Sequence, residues 1–164
     1  MKKLYAIAIM LLVAAGAYAQ EGRNIYNKYS DSNGVSAVYI SPAMFKLIGR
    51  IPELTVSSSS GEETIDIAPL IRTFSGFYML DISDPSVRSS LESDLKSMID
   101  KGHYELLMEV KDSGDNLRMY TAGDEKTVES FVFMAHSDSD IQFICIDGAM
   151  SREEVNTLIA HLAQ

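Results

Sequence analysis

The pattern of apolar and polar positions divides the chain into short helices and strands that are separated by polar turns. Near the start it predicts a short helix over Asn24 to Tyr29 and a strand over Val35 to Ile40, which is rich in β-branched and aromatic residues. A second helix begins at Ser41-Pro42, because proline fits the first helical position, where its missing N–H has no partner. Gly49 is the expected end of this helix.

A longer helix is predicted to begin at Asp84-Pro85 and to end at Gly102. Its apolar residues recur at steps of four and three, which places them on one side of a helix. They are Val87, Leu91, Leu95 and Met98. The run from Gly76 to Ile82 before it is typical of a central strand, apolar on both faces.

Four strands follow the long helix, and short polar turns connect them. They are predicted over 104–110, 117–121, 128–135 and 141–147. Turns as short as these favour antiparallel pairing of neighbouring strands. The sequence therefore predicts a four-strand meander in the C-terminal half.

A closing helix is predicted after the meander. Ser151 and Glu154 have the spacing of a capping box, and Met150 and Val155 that of a hydrophobic staple. Its apolar stripe is Val155, Leu158, Ile159 and Leu162. So short a helix is marginal alone in water, and we expect the stripe to dock on the sheet.

Two segments between the early helices and the central strand are harder to interpret. The serine-rich run over 57–63 has no apolar period, so we expect a flexible surface loop within one domain. The segment from Ile65 to Arg72 is compatible with a helix or a strand. The fold class that follows is α+β, with one mainly antiparallel sheet, a C-terminal four-strand meander and helices packed on one face. The passage from Gly76 to Val110 would add a crossover.

The first nineteen residues have the order of a secretory signal peptide. Lys2 and Lys3 precede 12 apolar residues, and Ala17-Tyr18-Ala19 offers small residues at the positions that a signal peptidase recognises. The apolar stretch is too short for a bilayer-spanning helix, which needs roughly 20 residues. We therefore expect cleavage between Ala19 and Gln20, which leaves a single domain over 20–164, located in the periplasm or secreted.

The charge balance narrows the classes of partner. Removal of Lys2 and Lys3 with the leader leaves 12 basic and 23 acidic residues, a net charge of −11. Such a surface repels nucleic acid and anionic lipid headgroups. The residue after the cleavage point is Gln20 rather than the cysteine of a lipoprotein, so we expect no membrane anchor. The only cysteine, Cys145, excludes an internal disulfide framework.

The candidate catalytic and metal-binding residues have simpler structural interpretations. Asp138 and Asp140 lie in the run from His136 to Asp140, where they could ligate calcium, but the EF-hand pattern fails and a hairpin turn is favoured. His103 and His161 suit helix C-termini, and no zinc-binding spacing occurs. Cys145 lies between isoleucines in a strand, where we expect a buried and inert thiol.

The remaining residue types give no specific chemistry. No GxSxG motif is present, and the acidic residues are too numerous for any one pair to indicate glycoside hydrolysis. The methionines are best explained as core filling. We therefore predict no catalytic, cofactor-binding or metal-binding residues.

Three segments resemble an exported Bacteroidetes family catalogued as a domain of unknown function (DUF4252). They are Gly34 to Ser41 with Met44-Phe45, Tyr104 to Lys111, and Ile144 to Gly148 before a short amphipathic helix. The resemblance covers nearly the whole mature chain and implies an envelope location without an assigned activity. Family members often carry a lipoprotein signal, and this chain departs from them by lacking the anchoring cysteine.

Two functions follow from the sequence. The first is a non-catalytic binding or interaction module of the bacterial cell envelope, whose partner, an envelope protein, docks on a helix-free sheet face or adds a strand at an open edge. The alternative is an exported hydrolase with a noncanonical carboxylate or histidine site. A deep cleft in which acids converge with a histidine would favour the alternative.

Overall fold

A computed structural model describes residues 21–48, 54–58, 61–65 and 71–156. The elements in these ranges are α1 (Glu21–Tyr29), β1 (Val35–Ile40), α2 (Pro42–Ile48), β2 (Leu54–Ser58), β3 (Gly61–Ile65), β4 (Phe74–Ile82), α3 (Pro85–Lys101), β5 (Glu105–Asp112), β6 (Asp115–Gly123), β7 (Thr127–His136) and β8 (Ile141–Ser151). A further helical segment covers 152–156.

Six strands form one antiparallel sheet in the order β1-β4-β8-β7-β6-β5. The predicted α+β class and the C-terminal meander are confirmed. The last strand of the meander, β8, returns to pair with β4, so β8 occupies the centre and β5 lies at the far edge. Since every neighbouring pair is antiparallel, β4 and β5 run in the same direction, and α3 connects them across the sheet.

The ends of α3 explain its stability as a local element. Asp84 caps it by accepting hydrogen bonds from the backbone N–H groups of Ser86 and Val87, at 2.9 and 3.1 Å. At the other end the N–H of Gly102 donates to the carbonyl of Met98 at 2.8 Å. The helix ends at Lys101, as predicted, but the left-handed residue that follows is His103, with φ of 53°, rather than the glycine.

The main core lies between the sheet and the two helices α1 and α3. The predicted stripe of α3 is confirmed, since Leu91, Leu95 and Met98 are buried. The inward residues of β4, β7 and β8 complete the core, among them Leu80, Ile82, Val132, Ile141 and Phe143. Burial of β4 alternates along the strand, so one of its faces is more deeply buried than the other.

A smaller cluster covers part of the opposite sheet face. Val128, Met150 and Val155 are buried together, with Phe74 and Phe131 packed against them. Phe131 stands between the inward residues Ser130 and Val132, so alternation points it away from the main core. The predicted contact between Met150 and Val155 is therefore present.

The second helix also reaches this smaller cluster. Phe45 of α2 packs edge-to-face on Phe74, with ring centroids 5.3 Å apart. We expected this sheet face to be free of helices, but α2 and the helical segment 152–156 both contact it. Gly49 and the outer stripe residues Leu158, Ile159 and Leu162 lie outside the described residues.

The serine-rich segment corrects one prediction. Most of the range 57–63, expected to be a flexible loop, lies in a two-stranded hairpin in which β2 pairs antiparallel with β3. Leu54 is opposite Ile65, and Val56 is opposite Glu63. The high serine content obscured the strand signal of the β-branched residues Thr55, Val56 and Thr64, which favour extended backbone. Two parts of this region lie outside the described residues: 59–60, and 66–70 of the segment that is compatible with a helix or a strand.

The last strand is four residues longer than predicted. It continues from Asp147 to Ser151, and the helical segment begins immediately afterwards. Ser151, expected as the helix cap, is therefore also the last residue of β8.

Truncation of Leu95 to alanine tests the packing of α3. Leu95 is fully buried in the main core, and loss of its side chain leaves a cavity that we expect to lower the free energy of unfolding by about 2–5 kcal/mol. Leu47→Ala is the matched control, because Leu47 is 64% exposed on α2 and the expected loss is within about 0.5 kcal/mol. Urea denaturation measures both, and equal losses would contradict the described packing.

Candidate functional site

The most exposed strand of the main sheet is β5. All eight of its residues are exposed, although the strand pairs with β6 along its length. Four of them are large and apolar, with 41–49% of their surface accessible: Leu106, Leu107, Met108 and Val110. Within the described residues no element pairs with the outer side of β5. In this part of the chain an edge strand, with one register shift between Leu106 and Met108, thus presents unpaired backbone groups beside apolar side chains.

The two faces of β5 differ in chemistry. Met108 and Val110 are opposite Met119 and Leu117 of β6, so these four apolar side chains share one face. Glu109 alternates with them and stands on the other face. We call the face of Met108 and Val110 the apolar side of β5 and the face of Glu109 and Lys111 its charged side. Asp112 ends the apolar side, and Leu106, opposite Tyr120, lies on the charged side.

Ion pairs organise the charged side. Nε of Arg118 lies 2.7 Å from Oε1 of Glu109, and Nζ of Lys111 lies 3.2 Å from Oε2. The hydrogen bond from Arg118, followed by that from Lys111, lowers the pKa of Glu109. These charges compensate one another within β5 and β6, and none of them reaches the apolar side.

An open cleft of about 620 Å³ lies beside this edge, between α3 and the face of β6 and β7. Its charged lining residues are Glu92, Lys96, Asp100, Arg118 and His136. Its other lining residues are Ile99, Gly114, Asn116, Tyr120 and Met134. The cleft exists because α3 crosses the sheet above its central strands and leaves this part of β6 and β7 open.

Of the two histidines that the structure describes, His136 lies in the cleft. Its Nδ1 is 3.0 Å from Oε1 of Glu92, and the two side chains are 44% and 46% exposed. An ion pair so open to water contributes little and is weakly oriented. Acids and a histidine do converge here, as the hydrolase alternative requires, but without the water exclusion that strengthens catalytic electrostatics.

The loop after His136 is the predicted hairpin turn. The N–H of Ser137 donates to the carbonyl of Asp140 at 2.9 Å, and the N–H of Asp140 donates back to Oγ of Ser137 at 3.1 Å. Hydroxyls of Ser139 and Ser137 bond to the Asp140 carboxylate and lower its pKa. Asp140 is thus satisfied by its neighbours, and the described residues contain no group of three His, Cys, Asp or Glu side chains placed for a metal ion.

The other candidate residues that the structure describes lie away from the cleft. His103 follows α3 and is exposed, and His161 lies outside the described residues. Cys145 is fully buried, as predicted, and burial raises the pKa of its thiol. Gly22 of α1 packs so closely on it that a Cβ there would lie 2.2 Å from the sulfur.

A buried polar cluster around Cys145 was missed by the sequence analysis. The thiol donates to Oδ1 of Asp147 at 3.3 Å, and it lies 3.4 Å from Oγ of Ser130. Asp147 is 1% exposed, and its Oδ2 has no partner among the described residues. Asp147 continues the inward alternation of 141, 143 and 145, and that period was the signal available in the sequence.

Burial dominates the electrostatics of this cluster. It raises the pKa of Asp147 to about 6, although hydrogen bonds from Cys145 and Ser130 act in the opposite direction. Burial, followed by the charge of Asp147, raises the pKa of Tyr78 to about 12. Oε2 of Glu21 and the hydroxyl of Tyr104 are also buried without a hydrogen-bond partner in the described part of the chain.

The fold and surface define an α+β domain with an open-edged antiparallel sheet. The chain belongs to the family described as Domain of unknown function (DUF4252), whose model matches residues 29–158. No curated protein matches the chain, and no solved structure does. Among the described helices, none combines the length and the apolar character that crossing a membrane requires.

Asp147→Asn tests the buried carboxyl. Because its folded-state pKa is raised from 3.8 to about 6, Asp147 favours the folded state most at low pH and loses that contribution as pH rises through 6. We expect the wild type to lose about 2–3 kcal/mol from this group between pH 4 and pH 8. The variant lacks this slope and is the more stable protein at pH 8.

Urea denaturation of both proteins across this pH range isolates the effect. Carboxylates with lowered pKa values, such as Asp84 and Asp140, contribute in the opposite direction but equally in both proteins. Asp31→Asn, in an exposed turn, is the control and should follow the wild type. Identical slopes in wild type and Asp147→Asn would contradict the assignment.

Proposed function

We propose that the protein is an exported, non-catalytic binding module of the bacterial cell envelope, and that it holds an extended polypeptide segment along β5. The observation that carries the proposal is the exposure of all eight β5 residues at the edge of the main sheet. An added strand pairs with the free backbone groups of such an edge, and side chains on alternate positions supply specificity.

The apolar side of β5 supports the proposal that the exposed edge binds a partner. Natural edge strands are usually protected by proline, by inward-pointing charges or by short length. β5 is eight residues long and has no proline, and beyond one register shift between Leu106 and Met108 it presents Met108 and Val110 on one face beside Leu117 and Met119. A partner strand with apolar residues on that face would continue this row.

The negative charge of the chain and of β5 indicates what kind of partner the edge would bind. The chain has a formal net charge of −9, and Glu105, Glu109 and Asp112 outnumber Lys111 on β5. This field attracts basic segments and opposes the approach of a second copy of the same acidic chain. We therefore assign the edge to a partner polypeptide in which apolar and basic residues alternate.

The leader supports the envelope location. If the signal peptide is removed after Ala19, the mature form is a single domain that begins at Gln20 and contains 145 of the 164 residues. We expect mass spectrometry of the protein from the envelope fraction to show this species. A chain that retains Met1 in that fraction, or a native cytosolic form, would contradict export.

Strand addition is tested with a fluorescent eight-residue peptide in which valine and lysine alternate. In an added strand, one alternate set of peptide amides faces β5 and the other faces away. N-methylation of the facing set should therefore weaken binding at least tenfold, and N-methylation of the other set should preserve it. The valine–glutamate version, repelled by the acidic chain, should bind weakly. Fluorescence anisotropy measures all four peptides.

Variants locate the binding surface. Met108→Lys with Val110→Lys places charge on the apolar side of β5 and should abolish peptide binding, whereas Leu47→Lys, on exposed α2, should not. Equal binding of the two N-methylated peptides would refute strand addition, and a wild-type dimer disrupted by the β5 variant would assign the edge to a second copy. Peptide cleavage that His136→Gln removes would support the hydrolase instead.

A further inference from the structure

We propose that the cleft between α3 and the β6–β7 face binds a free α-amino acid with an apolar side chain, as its zwitterion. The site is separate from the outer edge of β5, because no β5 residue lines the cleft. The proposal does not depend on strand addition. It rests on which polar groups of the cleft are already paired and which are not.

Three of the five charged lining residues have partners. His136 pairs with Glu92 at 3.0 Å, and Nε of Arg118 pairs with Glu109 at 2.7 Å. The bond to Arg118 uses one edge of the guanidinium, so terminal Nη groups remain as donors. Arg118 therefore has a partner and still has hydrogen-bonding capacity for an anionic group.

Lys96 and Asp100 are the two lining charges without an ion-pair partner among the described residues. They lie four residues apart on α3, which places them about one turn apart on the same side of the helix. One cation and one anion at this spacing match the carboxylate and ammonium of a single small molecule. Asn116, whose Oδ1 is buried without a partner in the described part of the chain, is opposite His136 and so lies at the Glu92 end of the cleft, about two helical turns from Asp100.

The ammonium of an amino acid has three N–H donors, and it can bond to the carboxylate of Asp100. The carboxylate of the amino acid then lies with Lys96 and Arg118. The carboxylate of the zwitterion therefore meets two cations of this chain, and its ammonium meets one carboxylate.

The rest of the cleft wall is apolar. Ile99 of α3 and Met134 of β7 line it with the ring of Tyr120, which is largely buried. These side chains can contact an aliphatic or thioether side chain, and methionine adapts to ligand shape. The volume of about 620 Å³ lies within the roughly 300–1,000 Å³ typical of small-molecule sites.

Calorimetry of the mature chain with leucine, valine, methionine and alanine tests the proposal. We expect leucine or methionine to bind, and we expect N-acetyl-leucine and leucinamide, each lacking one charge of the zwitterion, to bind at least tenfold more weakly. Glutamate and lysine should also bind at least tenfold more weakly than leucine because the wall is apolar. These ligand comparisons use the unaltered protein, so folding of variants does not enter.

Variants test whether Lys96 and Asp100 bind the two charged groups of leucine. Lys96→Gln and Asp100→Asn should each weaken leucine binding at least tenfold. Lys126→Gln and Asp31→Asn, exposed in turns away from the cleft, should leave it unchanged, and so should the double β5 substitution. Absence of binding by all four apolar amino acids would overturn the proposal, as would equal binding of leucine, its amide and its N-acetyl form.

Discussion

The pairing of β8 with both β4 and β7 is the constraint on which the rest of the structure depends. The closing strand of the meander does not stay at the edge but enters the centre of the sheet. Its inward residues Ile141, Phe143 and Cys145 form the floor on which α1 and α3 pack. The same insertion leaves β5, the first strand of the meander, without a second neighbour among the described strands. The burial of β8 and the exposure of β5 thus have one cause, the position of β8 between β4 and β7.

The central strand also carries the least favourable group of the core. Asp147 continues the inward alternation of β8 and is as buried as its apolar neighbours. A buried carboxyl stays neutral more readily than it ionises, so the centre of this fold is sensitive to pH where a leucine or valine would not be. Close packing of Gly22 on Cys145 brings α1 directly over this group. Changes in the protonation of Asp147 therefore act at the contact between α1 and the sheet.

Local patterns in the sequence were sufficient for most elements but not for their order. The helix over 85–101 followed from the Asp84-Pro85 start and a stripe of four apolar residues, and burial of Cys145 followed from its apolar strand. The hairpin over 54–65 was missed because serine dominates its composition, although Thr55, Val56 and Thr64 favour strands.

The edge position of β5 was beyond reach, because it is decided by where β8 pairs, a contact between residues far apart in the sequence. The cleft shares this origin. Glu92 and Lys96 belong to one helix and Arg118 and His136 to two strands, and nothing in their spacing indicates that they meet. The burial of Asp147 likewise had no signal in the sequence other than its position, an even number of residues after Ile141 and Phe143 on the same strand. Long-range pairing thus places every polar group of the candidate site.

The arrangement of charge on β5 supports the proposal that its edge binds a partner. An edge strand can be made inert by placing lysine or glutamate on both of its faces. Here Glu109, Lys111 and Arg118 are held together on one face by two ion pairs, and Met108 and Val110 lie on the other face beside Met119 and Leu117, with Asp112 at the end of the strand. A chain with a net charge of −9 resists self-association through long-range repulsion. Protection from aggregation can therefore come from the overall charge, which leaves the apolar side of β5 free to select a partner of opposite charge.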